Sequence, residues 1–239
     1  MDKKRKPLRA LVTGGTKGIG LAITEKLLSE GHEVFSTGTR KKGKVARGGT
    51  YVHADFKNKE SLDIFLTFLR NNKFDILINN AGINKIDSFI DIKEDDFDEI
   101  LAINLKAPFL ISQACIKHML ESDWGRIINI TSVFSKVSRE FRASYSASKF
   151  ALDGLTAAIS AELSSSNILV NSVSPGFIET DLTKKILGSS GMEEIKDTIP
   201  IRRLGSPKEI AEFVCWLASE ENTYITGQNL AIDGGFTRV

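Results

Sequence analysis

The chain is poor in the residues that build covalently stapled or metal-held folds. Its 239 residues include two cysteines, Cys115 and Cys215, far apart in the sequence. There is no C-x-x-C pair, and the three histidines (His32, His53, His118) are not spaced as ligands. These absences argue against a disulfide framework and against a metal site, so no metal is expected. Both cysteines lie in apolar helical contexts and read as small buried hydrophobes. No apolar run approaches the ~18 residues of a membrane span. Charge of one sign is missing too. Lys and Arg total 32 against 30 Asp and Glu, a net charge of +2 that gives no chain-wide case for nucleic acid or membrane binding.

What remains is an ordinary globular composition, 41% hydrophobic and 26% charged, which excludes a disordered or fibrous chain. The length suits one domain, and nothing in the sequence marks a linker or an internal repeat. Residues 1–7 form a basic tail with Lys3, Lys4, Arg5 and Lys6. The apolar stretch after it is too short for a signal sequence, so the expectation is a solvated tail on a cytoplasmic protein.

Short apolar runs alternate with amphipathic stretches. Strands are expected at 9–13, 33–37, 50–54, 75–79, 125–131, 169–173 and 228–232. Helices are expected at 18–30, 61–71, 95–121 and 144–163, with another around Ile210, Phe213, Val214 and Leu217. This alternation predicts an α/β domain, a doubly wound parallel sheet of about seven strands with helices on both faces. Residues 183–203 are the least regular stretch and are expected outside the sheet as a mobile substrate flap.

Thr13-Gly14-Gly15-Thr16-Lys17-Gly18-Ile19-Gly20 joins the first strand to the first helix. Glycines there allow a tight turn and close approach of a pyrophosphate, and the helix N-terminus supplies N–H groups and a positive dipole end. Thr37-Gly38-Thr39-Arg40 ends the second strand without the carboxylate that would hold a ribose 2′-OH. Arg40, with Lys17 near by, fits a 2′-phosphate instead, which points to NADP(H). Residues 40–49 carry five basic residues and three glycines, too short and too glycine-rich for a crossover helix. A basic loop is expected there, either a solvated charge run or a further contact to the phosphate.

Tyr145 and Lys149 are spaced i, i+4 at the start of a helix, one turn apart on one face. A phenol of ordinary pKa, near ~10, is a poor acid–base group at neutral pH, and a nearby ammonium lowers that value. Ser132, at the end of the fifth strand, should face the same cleft at the carboxyl edge of the sheet.

Taken in order, these motifs resemble the short-chain dehydrogenase/reductase family along the whole chain. The resemblance rests on the glycine turn, Asn79-Asn80-Ala81-Gly82, Asn104, Ser132, Tyr145 and Lys149. It continues in Pro175-Gly176, Thr226-Gly227 and Asp233-Gly234-Gly235. It implies a single-domain Rossmann fold that binds NADP(H) and reduces a ketone to a secondary alcohol. Tyr145 would be the acid/base, with Ser132 on the substrate oxygen. Lys149 would tune the tyrosine and hold the nicotinamide ribose, and Asn104 would support a relay water. Gly14, Thr16, Lys17, Gly18, Ile19, Gly20 and Arg40 would hold the phosphates. Asp55 would cap the adenine; Asn80, Ala81 and Gly82 would line the adenosine and ribose; Pro175, Gly176, Ile178 and Thr180 would hold the nicotinamide. A homotetramer is implied as well.

Within the family the chain is most similar to the 3-oxoacyl-[acyl-carrier-protein] reductases, so a 3-oxoacyl thioester, possibly carrier-bound, is the first substrate expectation. Two arginines common in that group, expected beside the site, are replaced by Asp123 and Ser166. Arg139, Arg142, Arg202 and Arg203 instead fall in segments expected near the substrate mouth. They read either as surface cations or as groups that meet an anionic substrate. A keto-sugar, nucleotide-sugar or polyol dehydrogenase is therefore the alternative, and a non-catalytic nucleotide-binding scaffold the alternative of another class.

Overall fold

A computed structural model describes residues 7–239; the first six residues of the expected basic tail lie outside the described residues. Seven strands form one parallel sheet: β1 (Arg9–Val12), β2 (Glu33–Gly38), β3 (Thr50–His53), β4 (Ile76–Asn79), β5 (Gly125–Ile130), β6 (Ile168–Pro175) and β7 (Asn229–Ile232). Their order is β3-β2-β1-β4-β5-β6-β7. The chain winds outward from β1 in one direction and then from β4 in the other. The crevice between the carboxyl ends of β1 and β4 is the switch point where such sheets bind ligands.

Successive side chains of each strand enter different cores. Leu11 and Leu77 point to one face with α2 (Lys59–Asn71) and α4 (Ala107–Ser122). Ala10, Val12, Ile76 and Ile78 point to the other with α1 (Gly18–Ser29) and α7 (Pro207–Leu217). Burial on both faces is why the strands read as continuous apolar runs rather than alternating ones. Phe35 and Phe74 meet edge to face at 5.2 Å in the first core. Cys115 and Cys215 are buried and free, and burial raises both thiols, that of Cys115 to about 12.

The long helical region has an internal change of winding. Helix α3 (Glu94–Leu101) passes through a π-turn at Ala102–Lys106 into α4, with Pro108 in the first turn after it. By length and composition the run Glu94–Ser122 would suit a membrane. Here Ile103, Ala107, Ile111, Cys115 and Met119 bury its inner stripe against the sheet. Residues 40–49 contain no helix, as expected of that loop. Residues 183–203 differ from expectation, because helix α6 (Asp181–Asp197) covers most of them. Its Leu187, Met192 and Ile195 pack into a small cluster apart from the two main cores, and Gly188, at φ +65°, breaks its winding. Helix α5 (Ala143–Leu163) completes the layer beside β5 and β6.

Arg126, only 2% exposed, stitches the amino edge of the sheet. Its guanidinium donates to the carbonyls of Gly125 (2.8 Å), Asn167 (2.9 Å) and Asn222 (3.0 Å) and lies 4.5 Å over the Trp124 ring. Burial brings it down to about 10. Arg126→Met keeps the stem and leaves these carbonyls without their donor, at ~1 kcal/mol each. The expected loss is about 3 kcal/mol, or a fall in Tm of roughly 6–12 °C. An unchanged melting midpoint would show that the guanidinium does not tie these loops together.

Candidate active site

The glycine turn is pinned from both sides. The Thr13 hydroxyl accepts the N–H groups of Asn80 and Ala81, each at 3.0 Å. The Asn80 amide donates back to the carbonyls of Thr13 (2.9 Å) and Gly14 (3.2 Å). The Gly14 N–H donates to the Thr37 hydroxyl at 3.0 Å, which adds the end of β2. Gly14 (φ +65°) and Gly18 (φ +54°) take left-handed backbone, and a Cβ at Gly20 would collide with the Gly14 carbonyl. Helix α1 begins at Gly18 with no side-chain cap and no acidic residue in its first turn. Its N-terminal N–H groups and dipole therefore face the crevice without a competing anion, and this cradle fits a dinucleotide pyrophosphate. Asn80 serves this turn with its side chain, where a ligand contact was expected.

At the other end of the crevice, Tyr51 organises the basic loop. Its hydroxyl donates to the Arg40 carbonyl, and burial raises its pKa. Its ring packs so closely on Gly43 that any side chain there would collide with it, and Gly38 lies against both Tyr51 and Thr16. Arg40 and Lys17 are exposed, and among the described residues neither has a carboxylate partner. Asp55 turns one carboxylate oxygen onto the Lys57 N–H at 3.1 Å. The sequence reading did not single out Tyr51; an aromatic residue on an edge strand beside a glycine-rich loop was the only signal.

Across the crevice, Ser132, Tyr145, Lys149 and Asn104 converge. Lys149, 3% exposed, donates to the Ile130 carbonyl at 2.8 Å, and its ammonium lies 5.7 Å from the Tyr145 ring centre. Burial lowers it to about 8. Asn104 projects from the π-turn. It accepts the Ile83 N–H and donates to the Ile83 carbonyl, both at 2.9 Å, and donates to the Ser148 hydroxyl at 3.1 Å. The amide is thus engaged with protein groups at both ends. Gly82 sits in the angle between Asn104 and Lys149.

The Tyr145 hydroxyl departs from expectation. Burial holds it above the usual phenol value, while the Ser132 hydroxyl and the Arg142 guanidinium pull it down. The Lys149 ammonium is turned to the Ile130 carbonyl, and the Arg142 guanidinium is a second cation that favours the ionised phenol.

The segment after β6 closes the crevice. Gly176 donates to the Ile232 carbonyl at 2.9 Å, and Ile178 is buried and bridged to Gly205. Thr180 caps α6 by accepting the Thr183 N–H at 3.2 Å, and its methyl group overhangs Gly18. Of Pro175, Gly176, Ile178 and Thr180, Gly176 borders the same cavity as Ser132 and Tyr145.

A cavity of about 110 Å³ lies against these hydroxyls, with Asn84, Phe134, Arg142, Phe177 and Leu182 in its wall. Of the four arginines expected at the mouth, only Arg142 reaches it. Arg203 forks onto Glu209 at 2.7 and 3.0 Å, Arg202 holds the Asp197 carbonyl, and Arg139 is exposed. Asp123 and Ser166 precede β5 and β6 and so lie at the amino edge of the sheet. Six strand residues, ~20 Å of β5, separate that edge from Ser132. The expectation that these two positions flank the site is therefore corrected, and their identity does not alter this mouth.

The family model described as Enoyl-(Acyl carrier protein) reductase matches residues 14–237. The 3-oxoacyl-[acyl-carrier-protein] reductase of Aquifex aeolicus (strain VF5) is 38% identical over 98% of this chain and 99% of its own. That of Rickettsia bellii (strain RML369-C) is 39% identical over 96% and 97%. Among solved structures, a gluconate 5-dehydrogenase from Burkholderia cenocepacia J2315 in complex with NADP and tartrate superposes with a TM-score of 0.90. It is 28% identical and covers 100% of this chain and 98% of that one. A 4-hydroxyisoleucine dehydrogenase complexed with NADH reaches 0.89 at 34% identity, covering 96% and 98%. The pinned glycine turn, the sheet order and these near full-length matches agree, and the chain belongs to the short-chain dehydrogenase/reductase family.

Proposed function

We propose that the protein is an NADP(H)-dependent oxidoreductase that interconverts a ketone and a secondary alcohol, with a 3-oxoacyl compound as the substrate to test first. The observation that carries this reading is the cluster of buried Ser132 and Lys149 with half-buried Tyr145, set across the crevice from an uncapped, glycine-lined helix N-terminus. Two relatives are 3-oxoacyl-[acyl-carrier-protein] reductases, and this supports the substrate. NADP(H) is supported by Arg40 at the end of β2 with no carboxylate beside it.

When bound, the reduced nicotinamide supplies the hydride to the carbonyl carbon. Ser132 donates a hydrogen bond to the carbonyl oxygen and stabilises the charge that develops there. Tyr145 delivers its proton to that oxygen, and the reverse reaction takes it back. Lys149 orients the ribose and carries positive charge beside the phenolate left on Tyr145. Arg40 and Lys17 meet the 2′-phosphate, with the Arg40 backbone fixed by Tyr51. The cytoplasm is the proposed location. A homotetramer belongs to the same proposal, since Phe109 and Leu120 on α4 and Phe150 on α5 are exposed apolar groups that a second copy would cover.

Tyr145→Phe is expected to lower NADPH-linked turnover by about 10³-fold while NADPH still binds; surviving activity would refute the tyrosine's role. Arg40→Ala is expected to raise the KM for NADPH about tenfold or more and to leave that for NADH in place. Equal effects on both cofactors would remove the 2′-phosphate from the argument. The Lys149 charge also predicts a pH dependence. Its folded pKa, about 8, lies below the ordinary lysine value of 10.5, so between those values the unfolded chain holds a proton the folded protein has released. Stability from this group therefore rises with pH across that window, by up to about 3 kcal/mol. Melting curves of Lys149→Met should lack that rise; parallel curves for both proteins would contradict a depressed lysine.

A further inference from the structure

We infer that the substrate of this site carries a carboxylate and that Arg142 is the group that binds it. The inference rests on the carbonyl reduction proposed above and narrows its substrate to a short oxo acid or hydroxy acid.

Arg142 is 8% exposed and lines the same small cavity as Ser132 and Tyr145. Its Nε and Nη1 are both buried, and among the described residues neither has a hydrogen-bond partner. Its position and its burial disfavour an unpaired cation. It occupies the N-cap position of α5, at the positive end of a 21-residue helix. Arg139 repels it, and burial and that repulsion together lower its pKa. The nearest ring face, Phe134, is 5.8 Å away. The fold shows what a structural buried arginine looks like in Arg126, where backbone carbonyls accept from the guanidinium nitrogens. Arg142 has no such set, so its two inward donors are aimed at a ligand.

The ligand class follows from the donors. A guanidinium offers a planar fork along its Nε/Nη2 edge and another along its Nη1/Nη2 edge, and either matches the two oxygens of a carboxylate. Phe134, Phe177 and Leu182 give the same cavity an apolar wall, which strengthens an ion pair formed against it. Arg142 stands three residues before Tyr145, one turn along the chain, so an anion held by the fork places a nearby ketone at the tyrosine hydroxyl. The Asn84 Oδ1 is a second buried atom without a partner in the same wall. It leaves an acceptor for a hydroxyl group elsewhere on the ligand, which again favours a polar acid over an alkyl chain. A thioester has no charge to give the fork.

The test uses the NADPH-loaded protein with 3-oxobutanoate, its methyl ester and dihydroxyacetone phosphate. The wild type is expected to favour the acid over the ester at least tenfold in kcat/KM. Arg142→Met is expected to reduce that ratio tenfold or more through KM, and Arg142→Lys to restore part of it. A binding readout stands apart from turnover. The product analogue 3-hydroxybutanoate should raise the Tm of the loaded wild type and not that of Arg142→Met. The unliganded Arg142→Met protein should itself melt above the wild type, because an uncompensated buried charge has been removed. Equal use of acid and ester, an unchanged ratio in Arg142→Met, or preference for the phosphate overturns the carboxylate anchor. Turnover of the ester independent of Arg142 leaves the reductase reading standing alone. Binding of 3-hydroxybutanoate that depends on Arg142, with no ketone reduced, leaves the anchor standing alone. Neither turnover nor binding removes both. If Arg142→Met does not fold, Arg142→Gln, which also removes the charge, carries the same comparisons.

Discussion

The site depends on one latch, the reciprocal hydrogen bonds between Thr13 and the Asn80–Ala81 backbone. Strands β1 and β4 are neighbours, but the chain leaves them in opposite directions, so nothing in the sheet ladder itself holds their loops in register. Thr13 at the end of β1 accepts two N–H groups from the loop after β4, and Asn80 returns two bonds to the carbonyls of the turn. The turn then has one shape, the first turn of α1 points into the crevice, and Gly82 is delivered to Asn104 and Lys149. Loss of the latch would uncouple the phosphate cradle from the hydroxyls that face it.

Most of the architecture was legible because the sheet is covered on both faces. Runs such as Ile76, Leu77 and Ile78 are apolar at every step, and the helices between them carry a single stripe, so the alternation could be read directly. The glycine turn, Ser132, Tyr145 and Lys149 were legible because their chemistry needs particular residue types at particular spacings. What escaped was set by tertiary contact. Helix α6 has its side chains mostly in solvent and a glycine break, so it offers no periodicity to read. Tyr51 matters only because the loop at 40–49 folds back over its ring. Linear sequence also cannot separate a solvated arginine from a buried one, and of four candidates only Arg142 is enclosed.

The two buried arginines show how the same side chain serves opposite ends. Arg126 lies at the amino edge of the sheet, and its bonds are spent on carbonyls of its own strand and of the segments at Asn167 and Asn222. Arg142 lies at the carboxyl edge and holds its donors open. The fold thus keeps its satisfied cation where stability is needed and its unsatisfied one where a ligand arrives. Such a division is a common cost of function, since a site that binds an anion well is strained until the anion is present.

The π-turn at Ala102–Lys106 sets the phase between α3 and α4. A π-turn is one residue longer than an α-turn, so helix α3–α4 contains a single surplus position, and Asn104 lies within it. Shortening the turn by one residue would regularise the backbone hydrogen bonds and rotate everything before it by about 100° relative to α4. The helix would gain regularity, and the amide that holds Ile83 and Ser148 would lose its address. Spacing within this helix is therefore information in its own right. A chain could keep every catalytic residue type and still be emptied of its site by a deletion that leaves the helix more regular than before.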